Sequence, residues 1–164
     1  MSEAQLRGMI NEASALCDRL FSTTKEIAPT WLCIAGDGTR FVRVTPWRNN
    51  REKDFAVQLL KEFFQTANIV RYVQISEAWA LQIDKGDEAT LERVKREGTA
   101  AQPERTECVM LLGEDSEAGM LMGMRPIVRT KRKRTLGALD IQEGHNELEG
   151  RFTGLLPAPT TSKH

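Results

Sequence analysis

Ile69-Val70-Arg71-Tyr72-Val73-Gln74-Ile75-Ser76-Glu77-Ala78-Trp79-Ala80-Leu81-Gln82-Ile83 is the stretch on which the fold turns. It is rich in β-branched and aromatic residues, lacks the three- and four-residue spacing of the segment before it, and is closed by Asp84-Lys85-Gly86-Asp87. It therefore reads as one long strand. Extended backbone sends successive side chains to opposite faces, so Val73, Ile75, Glu77, Trp79 and Leu81 share one row. Glu77 is the exception in that apolar row. A carboxylate there must be paired, hydrogen-bonded or protonated, because burying it alone costs on the order of several kcal/mol.

Towards the N-terminus, Phe55, Ala56, Leu59, Leu60, Phe63, Phe64 and Ala67 recur at helical spacing, with Arg51, Lys53, Lys61 and Glu62 facing away. The pattern predicts a helix capped at Asn50 and ending near Asn68, which tolerates a left-handed conformation. Before it, Thr30 to Ala35 and Arg40 to Thr45 flank Gly36-Asp37-Gly38-Thr39, which is a hairpin signal. Leu6, Met9, Ile10, Ala13, Leu16, Cys17, Leu20 and Phe21 predict a first amphipathic helix over about 2–26, opened by a Ser2/Gln5 capping box and stopped by Pro29.

Towards the C-terminus, residues 87–98 support a short surface helix, and 99–102 a loop. A strand follows from Arg105 to Leu112, then an acidic turn over Gly113 to Gly119. Ala118 to Thr130 reads as another strand, and Gly123 and Pro126 suit it to a bulge or an edge. Thr135 to Ile141 returns beside it, and the segment from Gly144 to Gly150 is polar. Short connections between consecutive strands favour antiparallel pairing. The expected class is α+β: an antiparallel sheet of about five to six strands with both amphipathic helices packed on one face. One core is expected over 1–155, with a flexible tail at 156–164.

Composition narrows function by exclusion. The 164 residues are 40% hydrophobic and 28% charged, an ordinary globular balance. Twenty-three basic residues offset twenty-three acidic ones, so no overall field draws the chain to nucleic acid or membrane. Cys17, Cys33 and Cys108 lie apart in apolar surroundings and read as buried thiols of a reducing compartment. The N-terminus does not read as a signal peptide, and no apolar run is long enough for a transmembrane helix. A cytoplasmic location and no membrane partner are the expectations. His145 and His164 fall at no ligand spacing, and neither a Cys-x-x-Cys nor a Gly-x-Ser-x-Gly motif occurs. No metal or cofactor is expected.

The strand ending Ser76-Glu77-Ala78-Trp79, the Pro103-Glu104-Arg105-Thr106-Glu107-Cys108-Val109 step and the Gly113-Glu114-Asp115 turn resemble a family of uncharacterised bacterial proteins. The resemblance covers about 69–125, and a histidine of that pattern before the proline is Gln102 here. It implies a shared fold and a bacterial setting, and carries no activity, substrate or cofactor.

Three functional readings follow. Without a catalytic set, the leading one is a non-enzymatic binding or assembly module, in a homo-oligomer or with a protein partner. It would use an uncovered sheet face or the edge carrying Met110, Met120, Met122 and Met124. The second is nucleic-acid association through 125–134, where Arg125, Arg129, Lys131, Arg132, Lys133 and Arg134 concentrate six positive charges. Neighbouring acids and the lack of interleaved aromatics argue against it. The third is carboxylate-based or metal-assisted chemistry. Glu107 shares a row with Val109 and Leu111 as Glu77 does with its neighbours, and Trp79 and Arg105 complete a candidate pocket. The competing explanation is a structural ion pair from Glu77 to Arg71, Arg105 or Arg43.

Overall fold

The computed structural model describes residues 2–24, 26–81, 83–142 and 155–156. The first helix, α1 (Ser2–Thr24), leads to a hairpin of β1 (Thr30–Ala35) and β2 (Arg40–Val44), then α2 (Asn50–Thr66) and the long strand β3 (Ile69–Ala80). A surface helix α3 (Glu88–Glu97) and a single 3-10 turn precede β4 (Thr106–Asp115), β5 (Gly119–Arg129), β6 (Arg134–Leu136) and β7 (Asp140–Gln142). All strand pairs are antiparallel, in the order β2-β1-β3-β4-β5-β6, with β7 also pairing with β5. Among the described residues, no helix is long and apolar enough to cross a membrane.

The decisive stretch is extended as expected, although it ends at Ala80. The α+β class and antiparallel sheet also match expectation. Seven strands form among the described residues, because the expected strand over 135–141 divides into β6 and β7 beside different parts of β5. Pro126 falls between those two partners, with its carbonyl turned outward to accept from the Gly137 N–H at 2.8 Å. The N–H it lacks would have pointed the same way, so the β4 pairing is untouched, and the Gly137 carbonyl it would have met accepts from Arg125 Nε at 2.8 Å instead. The acidic turn is shorter than expected, because Gly113, Glu114 and Asp115 belong to β4.

The helices do not share a face. Trp31 and Cys33 of β1 pair with Gln74 and Tyr72, and this side of the sheet meets Leu60 and Phe64 of α2. Leu32 and Ile34 point the other way, into the cluster of Val73, Ile75, Val109 and Leu111 beneath Leu6, Ile10, Ala13 and Cys17 of α1. The cause is topological. β2 and β3 flank β1, so the connection carrying α2 must cross over β1 on one side, and α1 covers the other.

Local polar chemistry departs from the sequence reading at both helix starts. Asn49, not Asn50, caps α2: its side chain accepts from the Glu52 N–H at 2.8 Å, and the Glu52 carboxylate accepts from the Arg48 N–H at 2.7 Å. The α1 capping box does not form. Ser2 donates to Glu117 at 2.7 Å, and the Gln5 side-chain oxygen accepts from Arg71 at 2.8 Å, because the start of α1 lies against the sheet and finds partners there. Asn68 takes the expected left-handed backbone, with φ 53°. In the hairpin, the Gly38 N–H and the Thr39 carbonyl both bond to Ala35 at 2.9 Å, a bulge for which Gly38 supplies φ 89°.

Cys17, Cys33 and Cys108 are buried free thiols. Burial pushes Cys17 and Cys108 up to about 11 and Cys33 up to about 12. Native protein at pH 8 should therefore resist a thiol reagent that titrates all three cysteines in denaturant; stoichiometric labelling without denaturant would contradict the packing. The sign for stability follows from proton counts. Above the usual thiol range the unfolded chain loses protons that the folded chain keeps, so these groups make stability fall as pH rises towards 11 or 12.

Candidate functional site

Glu77 and Glu107 come together. Glu77 pairs across the ladder with Val109, and Trp79 with Glu107, so the acids are diagonal neighbours on the α1 face. With Ala78, Trp79, Ile127 and Arg134 they line a hollow of about 140 Å³. Each, however, is held by an arginine. Arg134 Nη2 lies 2.5 Å from Glu77 Oε1 and 4.0 Å from Glu107 Oε1, with its guanidinium 5.3 Å from the centre of the Phe21 ring. Arg129 donates through Nη2 to Glu107 Oε1 at 2.7 Å and through Nε to Oε2. That fork holds the Glu107 carboxyl below its ordinary range, with Arg134 and Arg105 adding to the effect.

A general base needs a lone pair that substrate can reach, beside a second titrating group. Here the oxygens face guanidinium groups, and the remaining Glu77 oxygen accepts from the Ile27 N–H at 3.4 Å. Among the described residues, no cluster of His, Cys, Asp and Glu could hold a metal. The arrangement ties the β5–β6 hairpin to β3 and β4. The structural reading of Glu77 named the wrong arginines, however. Arg71 binds Asp115 at 2.7 Å, Arg105 stacks 4.6 Å from the centre of the Trp79 ring, and Arg43 lies 4.4 Å from that of Phe63. The partner comes from 57 positions away, a separation only the sheet brings together.

The basic segment divides in the same way. Arg125 is buried and bonded to Asp18, Ser14 and Gly137, while Arg129 and Arg134 serve Glu107 and Glu77. Only Lys131, Arg132 and Lys133, at the hairpin tip, form no ion pair among the described residues. Three of the six cations therefore already have internal partners, which weakens the electrostatic footprint expected of a nucleic-acid site. His145, His164 and the tail beyond Leu156 lie outside the described residues. Leu155, placed at the end of the domain, is buried with Leu60 and Phe64 of α2.

Met110, Met120, Met122 and Met124 are half-buried on the α2 face, where Met110 and Met124 are direct cross-strand partners. On the same face the Tyr72 hydroxyl donates to Glu114 at 2.6 Å, and burial raises its pKa. Gln102 is fully buried and donates to the Gly98 carbonyl at 3.0 Å behind α3.

Sequence reasoning missed an open groove of about 750 Å³ between β2 and α2. Arg43, Val44 and Thr45 form one wall and Phe55, Leu59 and Phe63 the other, with Trp47 at one end. Leu60 and Phe64 anchor α2 in the core, whereas Phe55 and Leu59 stay 66% and 49% exposed. On the other face of β2, Val42 and Val44, cross-strand partners of Leu32 and Thr30, are 63% and 57% exposed. Among the described residues, four of the seven large exposed apolar side chains thus lie at one sheet edge, two on each face. A signal was available. Positions 55, 59 and 63 form a second stripe beside 56, 60 and 64, too wide for a helix with one buried face. Compared with protein-family models, curated proteins and solved structures, the chain matches none.

Proposed function

We propose that the protein is a non-enzymatic binding or assembly module that accepts an extended polypeptide segment as an added strand along β2. The observation that carries this reading is the state of that edge. The hairpin bonds Ala35 to Thr39 and Pro29 to Thr45, so alternation turns the backbone groups of Phe41 and Arg43 inward to β1. Those of Arg40, Val42 and Val44 point outward, and among the described residues no backbone hydrogen bond reaches them. A row of free donors and acceptors beside an apolar groove is the setting for strand addition: backbone bonds give affinity and the groove receives alternate side chains. The carboxylate cluster favours no competing enzymatic reading, since its acids are already paired.

Fluorescence anisotropy with labelled extended peptides, apolar at every second position, tests the proposal. Binding should weaken at least about tenfold on Val42→Pro, which removes an outward N–H while leaving the β1 pairing intact. Failure of every peptide to bind, or binding indifferent to both Val42→Pro and Phe55→Asp, would overturn it.

A further inference from the structure

We infer that the segment fitting this edge is β2 of a second copy, which makes the protein a two-fold dimer with a sheet continuous across both chains. This rests on the reading just proposed and names its partner. In a two-fold antiparallel pair, outward backbone groups must face outward groups. Those belong to Arg40, Val42 and Val44, so an axis at Val42 is the one position that uses all of Arg40–Val44. Val42 then faces itself, Arg40 faces Val44 of the other copy, and about six backbone hydrogen bonds form.

The side chains suit this register. Phe41 of one copy stands opposite Arg43 of the other, at a closely spaced position where a guanidinium can stack on a ring. No arginine faces its own counterpart. Nor do the arginines guard the edge, as charged side chains often do. Arg40 is drawn back to Glu12 of α1 at 2.8 Å, and Arg43 lies over Phe63. The exposed Val42 meets its own equivalent and the exposed Val44 meets Arg40 of the other copy, while Phe55 and Leu59 flank the junction on the α2 face. A formal net charge of zero removes long-range repulsion between copies. Among the described residues the sheet's opposite end offers no comparable template, since β6 and β7 are three residues each and lie beside separate parts of β5.

Sedimentation equilibrium of the full chain over a wide micromolar range should show a dimer, and Val42→Pro should return it to monomer with unchanged circular dichroism. Cross-linking fixes the register. Val42→Cys should give a disulfide-linked dimer on mild oxidation, because opposed residues stand about 5.5 Å apart at Cα. Val44→Cys should not, its own counterpart lying about 14 Å along the strand. The native thiols, being buried, stay out of the reaction. A wild type that remains monomeric, or a Val44→Cys variant that links as readily as Val42→Cys, overturns the dimer. Peptide binding at the same edge, measured at protein concentrations too low for the dimer to form, decides separately whether the broader reading survives.

Discussion

Arg125→Ala should lower the free energy of unfolding by about 2–4 kcal/mol, because a buried guanidinium's charge-assisted hydrogen bonds are lost while Asp18, 60% exposed, returns to water. The guanidinium joins three parts of the chain. It donates to the Gly137 carbonyl at 2.8 Å, to the Ser14 carbonyl at 3.0 Å and to the Ser14 hydroxyl at 3.3 Å, and lies 2.8 Å from Asp18. It thereby fixes β5 to α1 and to the link between β6 and β7. Alanine withdraws every one of these donors and leaves buried acceptors without their partner. Arg125→Lys keeps the charge but not the planar fork that serves separate acceptors, so roughly half of the loss should remain. Urea unfolding of both variants gives the comparison, and a loss below about 1 kcal/mol for Arg125→Ala would show the junction to be dispensable.

For Trp31→Ala a loss of about 3–5 kcal/mol is expected, from transfer free energy together with the cavity left behind. Trp31 is fully buried, with ring centroids 6.1 Å from Phe64 and 5.5 Å from Tyr72, and its indole N–H donates to Thr45 at 2.8 Å. Its position gives the effect a direction. α2 buries only Leu60 and Phe64, so its attachment depends on the aromatic cluster that Trp31 anchors. Hydrogen exchange should quicken first in α2, before α1 or β4, and peptide binding at the β2–α2 groove should fail with it. Trp31→Phe, which retains an aromatic ring, should lose about 1–2 kcal/mol and keep α2 in place. Uniform loss of protection across both helices would show that α2 has no separate hold on the sheet.

Arg125 and Glu77 mark the limit of one-dimensional reading. Arg125 belongs to the basic segment by its closeness in sequence to Arg129 and the residues after it, yet alternation along β5 turns it under α1. Glu77 was recognised as an acid needing a partner, and it has one. Which arginine supplies it depended on a hairpin whose return lies 57 positions away. The acidic partner Glu107 was legible because two neighbouring strands share a row pattern, and the register does make the two acids diagonal neighbours.

From its residues alone, this chain determined which segments are helical and which extended, where the hairpin turns and the class of the fold, since these depend on local period and turn chemistry. It even carried a hint of double coverage: Trp31-Leu32-Cys33-Ile34 is apolar without alternation, as a strand buried on both sides must be. Tertiary structure alone decided that α1 and α2 take opposite faces, that the arginines close the carboxylate pair, and that β2 is left with an unpaired edge. Those outcomes depend on which strands become neighbours, and neighbours in a sheet are chosen by packing across the whole chain.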